Sequence, residues 1–317
     1  MKRFLGVLAL ALAQGASAQS FPSKAITMVV GFEPGGGTDT VARIVAKTLA
    51  ENVGQQVVVE NRAGAGGNIA VDLVAKSAPD GHTLVLANVG SLAVNPHLLK
   101  LPYDPFRDLA PVTMAVVFPN LFVVHPSVPA KNLAELVKLA KDQPGKLTYG
   151  SSGIGGAGHL AGELLKLMAK IDLVHVPYKG GGPAMTGLLG GQIDIYVATP
   201  VAPLPHIRAG KARGIVTTGA QRSALLPDYP TVAESGYPGY EALNWYAYLA
   251  PAKTPRPVVE RLNAELVKVL GNQDVIALLH KQGVEPQPGT PEDLARYMKR
   301  EYDTWGRIVK EAGIKAQ

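Results

Sequence analysis

Apolar residues fall into short blocks along this chain, and the spacing inside the blocks changes in a regular order. Ile26-Thr27-Met28-Val29-Val30 is a compact run suited to a buried strand. After the loop Gly31-Phe32-Glu33-Pro34-Gly35-Gly36-Gly37-Thr38-Asp39, residues Val41, Ile44, Val45, Thr48 and Leu49 recur at helical spacing. Residues 56–59 read as the next strand, residues 60–68 as a second Gly-rich loop, and Ile69, Leu73 and Val74 as the helix behind it. The turn Pro79-Asp80-Gly81 precedes a strand at 83–87, which ends at Asn88-Val89-Gly90-Ser91. Strands alternating with helices predict a parallel sheet. Residues 104–112 break the alternation.

The plan then recurs. Residues 121–124 form a strand that leads out of the first unit, and Asn132 with Glu135 is a capping box for a helix carrying Leu133, Leu136, Val137 and Ala140. The stretch Leu147-Thr148-Tyr149-Gly150 is a short strand that runs into the loop Ser151-Ser152-Gly153-Ile154-Gly155-Gly156. The helix behind that loop has Leu160, Leu164, Leu167 and Met168 on its apolar face. A strand at 173–178, the loop Lys179-Gly180-Gly181-Gly182 and a helix with Met185, Leu188 and Leu189 repeat the unit. Strands follow at 192–197, ending in Ala198-Thr199-Pro200, and at 213–218. The aromatic strand at 245–249 returns the chain to its first unit. Val259, Leu262, Leu266, Val269 and Leu270 mark a helix after Pro257. Thr290 caps the last helix and Pro291 opens it; Leu294, Tyr297, Met298, Tyr302, Trp305, Ile308 and Val309 make its buried stripe.

Strand–Gly loop–helix units therefore occur in two separate regions, and the fold class they predict is α/β with two lobes, each a mostly parallel sheet flanked by helices. The bracketing strands place lobe one at 24–122 with 245–317 and lobe two at 123–244. In such sheets ligands gather outside the carboxyl ends of the strands, which is where the Gly loops fall. Gly lets a ligand approach the backbone, and the helix behind each loop adds unpaired N–H donors and partial positive charge. That combination suits a carboxylate or phosphate.

Export is also written into the N-terminus. Met1-Lys2-Arg3 is basic, residues 4–13 are apolar but too few to span a bilayer, and Ala16-Ser17-Ala18 is a cleavage site. Residues 1–18 thus read as a signal peptide, and the absence of Cys excludes a lipid anchor there and fits a bacterial periplasm. The formal charge of +6 is a mild excess without a basic run, so nucleic acid is not a partner. Seven His without HxH or HExxH spacing give no metal site. Gly153-Ile154-Gly155-Gly156-Ala157-Gly158 matches a dinucleotide fingerprint, but an exported protein has little free nicotinamide to use, and no cofactor is expected. Ser151 and Ser152, near His159, raise an exported α/β hydrolase as the alternative, although the G-x-S-x-G elbow is absent.

Taken together, Pro34-Gly35-Gly36-Gly37-Thr38-Asp39, Glu60-Asn61-Arg62-Ala63-Gly64-Ala65-Gly66-Gly67, Tyr149-Gly150-Ser151-Ser152-Gly153, His175-Val176-Pro177-Tyr178-Lys179-Gly180 and Pro230-Thr231-Val232-Ala233-Glu234 resemble the Bug family. These are periplasmic solute receptors of tripartite tricarboxylate transporters. The resemblance implies a type II periplasmic binding protein, a Venus flytrap without catalysis that closes on a small carboxylate held by backbone N–H groups, hydroxyls and water. It implies the transporter's membrane subunits as partners, and we expect a monomer. The expected ligand contacts are Phe32, Gly36, Gly37, Thr38 and Asp39 with Asn88 from lobe one. From lobe two they are Ser151, Ser152, Gly153, Gly155, Gly156, Lys179, Gly180, Gly181 and Thr199. Two departures stand out: Gly187 and the Ala198-Thr199-Pro200 turn replace residues that are often acidic in the family.

Overall fold

The structure is a computed structural model that describes residues 21–311, 313 and 314; the expected signal peptide lies outside the described residues. The chain opens with β1 (Ile26–Val30), α1 (Gly37–Val53), β2 (Val57–Asn61), α2 (Asn68–Ala75) and β3 (Thr83–Asn88). A π-helical turn at Gly90–Val94 and α3 (Asn95–Leu98) lead into β4 (Leu109–Pro119). Next come β5 (Leu121–Val124), α4 (Leu133–Asp142), β6 (Thr148–Ser151), α5 (Ala157–Ala169), β7 (Val174–Pro177) and α6 (Gly181–Leu189). β8 (Ile195–Ala198), α7 (Leu204–Arg208) and β9 (Arg213–Thr217) complete that half. The remainder is β10 (Leu243–Pro251), α8 (Arg256–Leu270), α9 (Gln273–Lys281), β11 (Glu285–Pro286) and α10 (Pro291–Glu311).

Two sheets result, with strand orders β11-β4-β10-β3-β1-β2 and β7-β6-β8-β5-β9. The two-sheet α/β architecture agrees with the sequence; the sheets are mixed, each with a parallel part and an antiparallel part. β2-β1-β3 and β7-β6-β8 are parallel, as their crossover helices require. β10, β4 and β11 pair antiparallel in the first sheet, and so do β5 and β9 in the second. The cause is connectivity: in the first sheet β4 leads into the crossing at Asn120 and β10 leads out of it, and in the second β5 leads out of the crossing and β9 leads back, so each pair runs antiparallel.

The central strands are apolar on both faces because both faces are covered. Met28 and Val30 of β1 face one core with Leu84 and Leu86 of β3, while Val29, Val85 and Ala87 face another. Along β10, Trp245, Ala247 and Leu249 join one core, and Tyr246, Tyr248 and Ala250 the other. α10 returns to the first sheet with Leu294, Met298, Trp305 and Val309 buried, each contributing about 1.5–3 kcal/mol. Trp245 Nε1 donates to Glu301 Oε2 at 3.1 Å and pins the helix to β10. Among the described residues no helix is long and apolar enough to cross a membrane.

The two sheets are joined where β4 leaves through Asn120 and where the chain returns between residues 218 and 242. These crossings are tied together. Asn120 N donates to Thr218 Oγ1 at 2.8 Å, Thr218 N to Asn120 O at 3.0 Å, and Thr218 Oγ1 to the Ala242 carbonyl at 2.7 Å.

Candidate functional site: a cavity between two helix N-termini

The loops after β1, β2, β3, β6, β7 and β8 meet in the cleft between the sheets. On one side Glu33 N donates to the Lys179 carbonyl at 3.1 Å. On the other, Gly155 lies with φ of +70° against the buried Asn95, and a Cβ at Gly155 would overlap that side chain. Backbone meets backbone on the first flank and a buried side chain on the second, and the structure is closed over the space between them.

That space is a small cavity between the two sheets. Phe32, Gly36, Gly37 and Thr38 line it from the turn between β1 and α1, Asn88 from the end of β3, and Ser152, Gly181 and Thr199 from the second sheet. Its remaining lining is Tyr196 of β8 with Asn244 and Tyr246 of β10. No charged side chain is among these residues. Gly36 is the N-cap of α1 and Gly180 that of α6, so two helices from opposite sheets begin at the cavity. Their first-turn N–H groups have no intrahelical acceptor, and the two dipoles add positive potential at one place. The Tyr246 hydroxyl sits beside those of Thr38 and Thr199. Burial pushes the phenols of Tyr196 and Tyr246 well up, so both remain protonated donors. Thr199 Oγ1 and Asn244 Oδ1 are buried with no hydrogen-bond partner of good geometry in the protein. Such a cavity offers a carboxylate many donors and no countercharge.

The expected contacts divide by placement. Phe32, Gly36, Gly37, Thr38, Asn88, Ser152, Gly181 and Thr199 line the cavity. Gly153 and Lys179 instead line an adjoining recess, which reaches the cavity past Phe32 and Ser152. Gly180 packs on Phe32 and Glu33 in the interface between the loops. Gly156 is the N-cap of α5, and the position of its absent side chain faces Gly153 O within the loop. Gly155 N donates to His159 Nδ1 at 3.1 Å. Asp39 is buried and braces the first loop, accepting from Gly35 N at 3.1 Å, Arg43 Nε at 3.0 Å and Asn61 Nδ2 at 2.9 Å. Burial opposes its charge, but the bonds from Arg43, Asn61 and Gly35 outweigh it and hold the carboxyl below its usual range. Tyr196, Asn244 and Tyr246 were absent from the sequence reading; they are strand residues rather than loop residues. Of the two departures from the family pattern, Thr199 lies in the cavity, whereas Gly187 makes room on α6 for the Tyr178 ring.

Ser151 and His175 form a pair at 2.7 Å, which bears on the hydrolase alternative. Ser151 is 0% exposed, and its hydroxyl also bonds within its own loop, to Gly153 O at 3.1 Å and from Gly153 N at 3.2 Å. His175 is stacked between Tyr149 and His159, its Nδ1 has no carboxylate, and burial pushes it down to about 3. The pair fastens the loop from behind. An ester could not reach it, and no third group orients the imidazole as a triad requires.

Comparison with known proteins agrees with this architecture. Residues 41–314 match the family model described as the tripartite tricarboxylate transporter family receptor. The periplasmic binding protein BugD is 35% identical, with a TM-score of 0.90 over 94% of this chain and 100% of that one. Rpa4515 of R. palustris with adipate is 38% identical, with a TM-score of 0.90 over 93% and 99%. MatC from Rhodopseudomonas palustris with bound malate is 35% identical, with a TM-score of 0.87 over 91% and 100%. These neighbours are solute-binding proteins, and the chain belongs to the Bug family of tripartite tricarboxylate transporter receptors.

Proposed function

We propose that this receptor works in the periplasm, captures a small mono- or dicarboxylate between its lobes and delivers it to the membrane subunits of a tripartite tricarboxylate transporter. The lobes are residues 24–122 with 245–317, and residues 123–244; the protein acts as a monomer without catalysis. The observation that carries this reading is the convergence of the α1 and α6 N-termini on one cavity lined by hydroxyls and amides. An anion there meets donors already oriented, and the two helix N-termini offset its charge in place of a buried cation. Adipate in Rpa4515 and malate in MatC support the ligand class. The basic and apolar start of the chain, with Ala16-Ser17-Ala18, supports export.

Thermal melting of the mature protein against a panel of mono- and dicarboxylates, each beside its monoamide, tests the reading. A binder at a hundredfold excess over Kd adds about 2.7 kcal/mol of stability. The monoamide binds more weakly, because it loses the charge-assisted part of its hydrogen bonds. A panel in which no carboxylate shifts the melting temperature would refute the proposal.

A further inference from the structure

The crossing between the sheets holds one buried, unpartnered acceptor on a residue that lines the cavity. Asn244, near the start of β10, is 4% exposed and lines the cavity beside Tyr246 and Thr199. The orientation of its amide follows from its neighbours. The Ala242 carbonyl accepts from Asn120 Nδ2 at 3.3 Å, which leaves Asn120 Oδ1 as the group facing Asn244. An amide oxygen only accepts, so Asn244 must turn its Nδ2 to it, at 3.3 Å. Asn244 Oδ1 is thereby left buried and unpartnered. Turning the amide over would set two oxygens against each other. The acceptor is therefore built into the site.

We infer that the ligand is a hydroxycarboxylate, and that Asn244 Oδ1 receives its hydroxyl proton. This assignment rests on the carboxylate reading above and narrows it. The carboxylate belongs at the helix N-termini, where N–H donors and positive potential converge. A carboxylate brought to Asn244 instead would place acceptor against acceptor. A methylene there would leave Oδ1 buried and unmet, which is the costlier half of a lost hydrogen bond. A hydroxyl satisfies Oδ1 and can still accept from Thr199 Oγ1, the other unpartnered atom in the cavity. An ammonium group would also donate, but the positive potential of the two helix N-termini opposes it and no carboxylate side chain lines the cavity to offset its charge. Asn244 is bonded to Asn120, and Asn120 to Thr218 and Ala242, so the same hydroxyl also braces the crossing between the lobes.

The test compares ligands that differ by one hydroxyl: succinate with malate, glutarate with 2-hydroxyglutarate, and propionate with lactate, by calorimetric titration of the mature protein. In the chain length that fits, the hydroxylated member should bind about tenfold to a hundredfold more tightly. The same pairs are then measured on Asn244→Ala and on the volume-conserving Asn244→Leu, each first checked for an intact melting transition without ligand. The preference should collapse towards unity in both, mainly because the deoxy member binds more tightly once it no longer buries an unmet acceptor. Equal affinities within every pair on the wild-type protein would overturn the inference and leave the carboxylate reading standing. A variant that weakens both members alike would also overturn it, because Asn244 would then only hold the crossing together. Absence of binding by all six ligands would count against both readings.

Discussion

Gly155→Ala tests whether the cavity depends on contact between the two lobes. Gly155 has φ of +70°, and an added Cβ would overlap Asn95. Asn95 is wholly buried and held to Asn68 Oδ1 through its Nδ2 at 3.0 Å, so it cannot swing away freely. The substitution therefore has two separable costs. A left-handed backbone costs Ala about 1–2 kcal/mol, whether the lobes are open or closed. Overpacking against Asn95 costs a further ~1–3 kcal/mol, but only while the loops touch. If binding closes the loops on the ligand as proposed, the second cost appears in affinity, as a weakening of about 5-fold to 150-fold. Gly54→Ala is the control. Gly54 caps α1 with φ of +68° and has nothing within 4 Å, so it carries the backbone strain without the contact. Urea denaturation of the ligand-free proteins should show similar small losses for both variants. Calorimetry with a ligand found in the melting screen should show weakened binding for Gly155→Ala alone. Wild-type affinity in Gly155→Ala would refute the argument that the loops must touch for the ligand to be held.

Gly37→Ala should lose some stability, because its Cβ would lie 2.9 Å from the Tyr246 hydroxyl of the same sheet, and at least about tenfold in affinity, because it would also lie 2.5 Å from Thr199 Oγ1 of the other, as urea denaturation and calorimetry would show. Burial holds His175 at about 3 and His159 below its ordinary 6.5, so both are neutral in the native protein while the unfolded chain takes up protons from about pH 6.5 downward. Their contribution to stability is full above that pH and is lost as pH falls towards 3. Urea midpoints measured from pH 7 to pH 4 should fall, and more gently in His175→Gln. Asn132→Ala removes the cap of α4, where Asn132 Oδ1 accepts from Glu135 N at 2.9 Å, and should lower stability by about 1 kcal/mol in the same denaturation assay without affecting binding.

The parallel half of each sheet was legible because burial on both faces leaves continuous apolar runs, and the Gly loops punctuate them. The capping box at Asn132 and Glu135 was equally plain, and Glu135 Oε2 indeed accepts from Lys131 N at 2.7 Å. β4 was not legible. Pro111 falls within it, and proline reads as a strand breaker because it cannot donate to a ladder. The fold tolerates it where the pairing with β10 slips: the register shifts between Tyr248 and Leu249, and Pro111 lies opposite Leu249. α9 was missed for a different reason, since only Val275 and Leu279 of its nine residues are buried and so short a stripe carries little periodic signal.

The site was legible where the backbone makes it and illegible where strand side chains finish it. A loop of glycines announces a close approach whatever the rest of the fold does. Tyr196, Asn244 and Tyr246 give no such signal, because alternation along a strand covered on both faces does not say which face meets a ligand. That choice is made by pairing. β10 lies between β3 and β4, and in the antiparallel register Tyr246 stands opposite Asn88. Asn88, at the end of its parallel strand, was recognisable as a cavity residue. Its partner must then share that face, and the period of two carries the same face to Asn244. The neutral floor of the cavity thus follows from one long-range register, set by a strand that arrives more than 150 residues after its neighbour. Because that strand is also part of the crossing between the lobes, the proposed binding mode fixes the groups that meet the far end of the ligand to the crossing, whereas the groups proposed to hold its carboxylate are carried on the loops between the sheets.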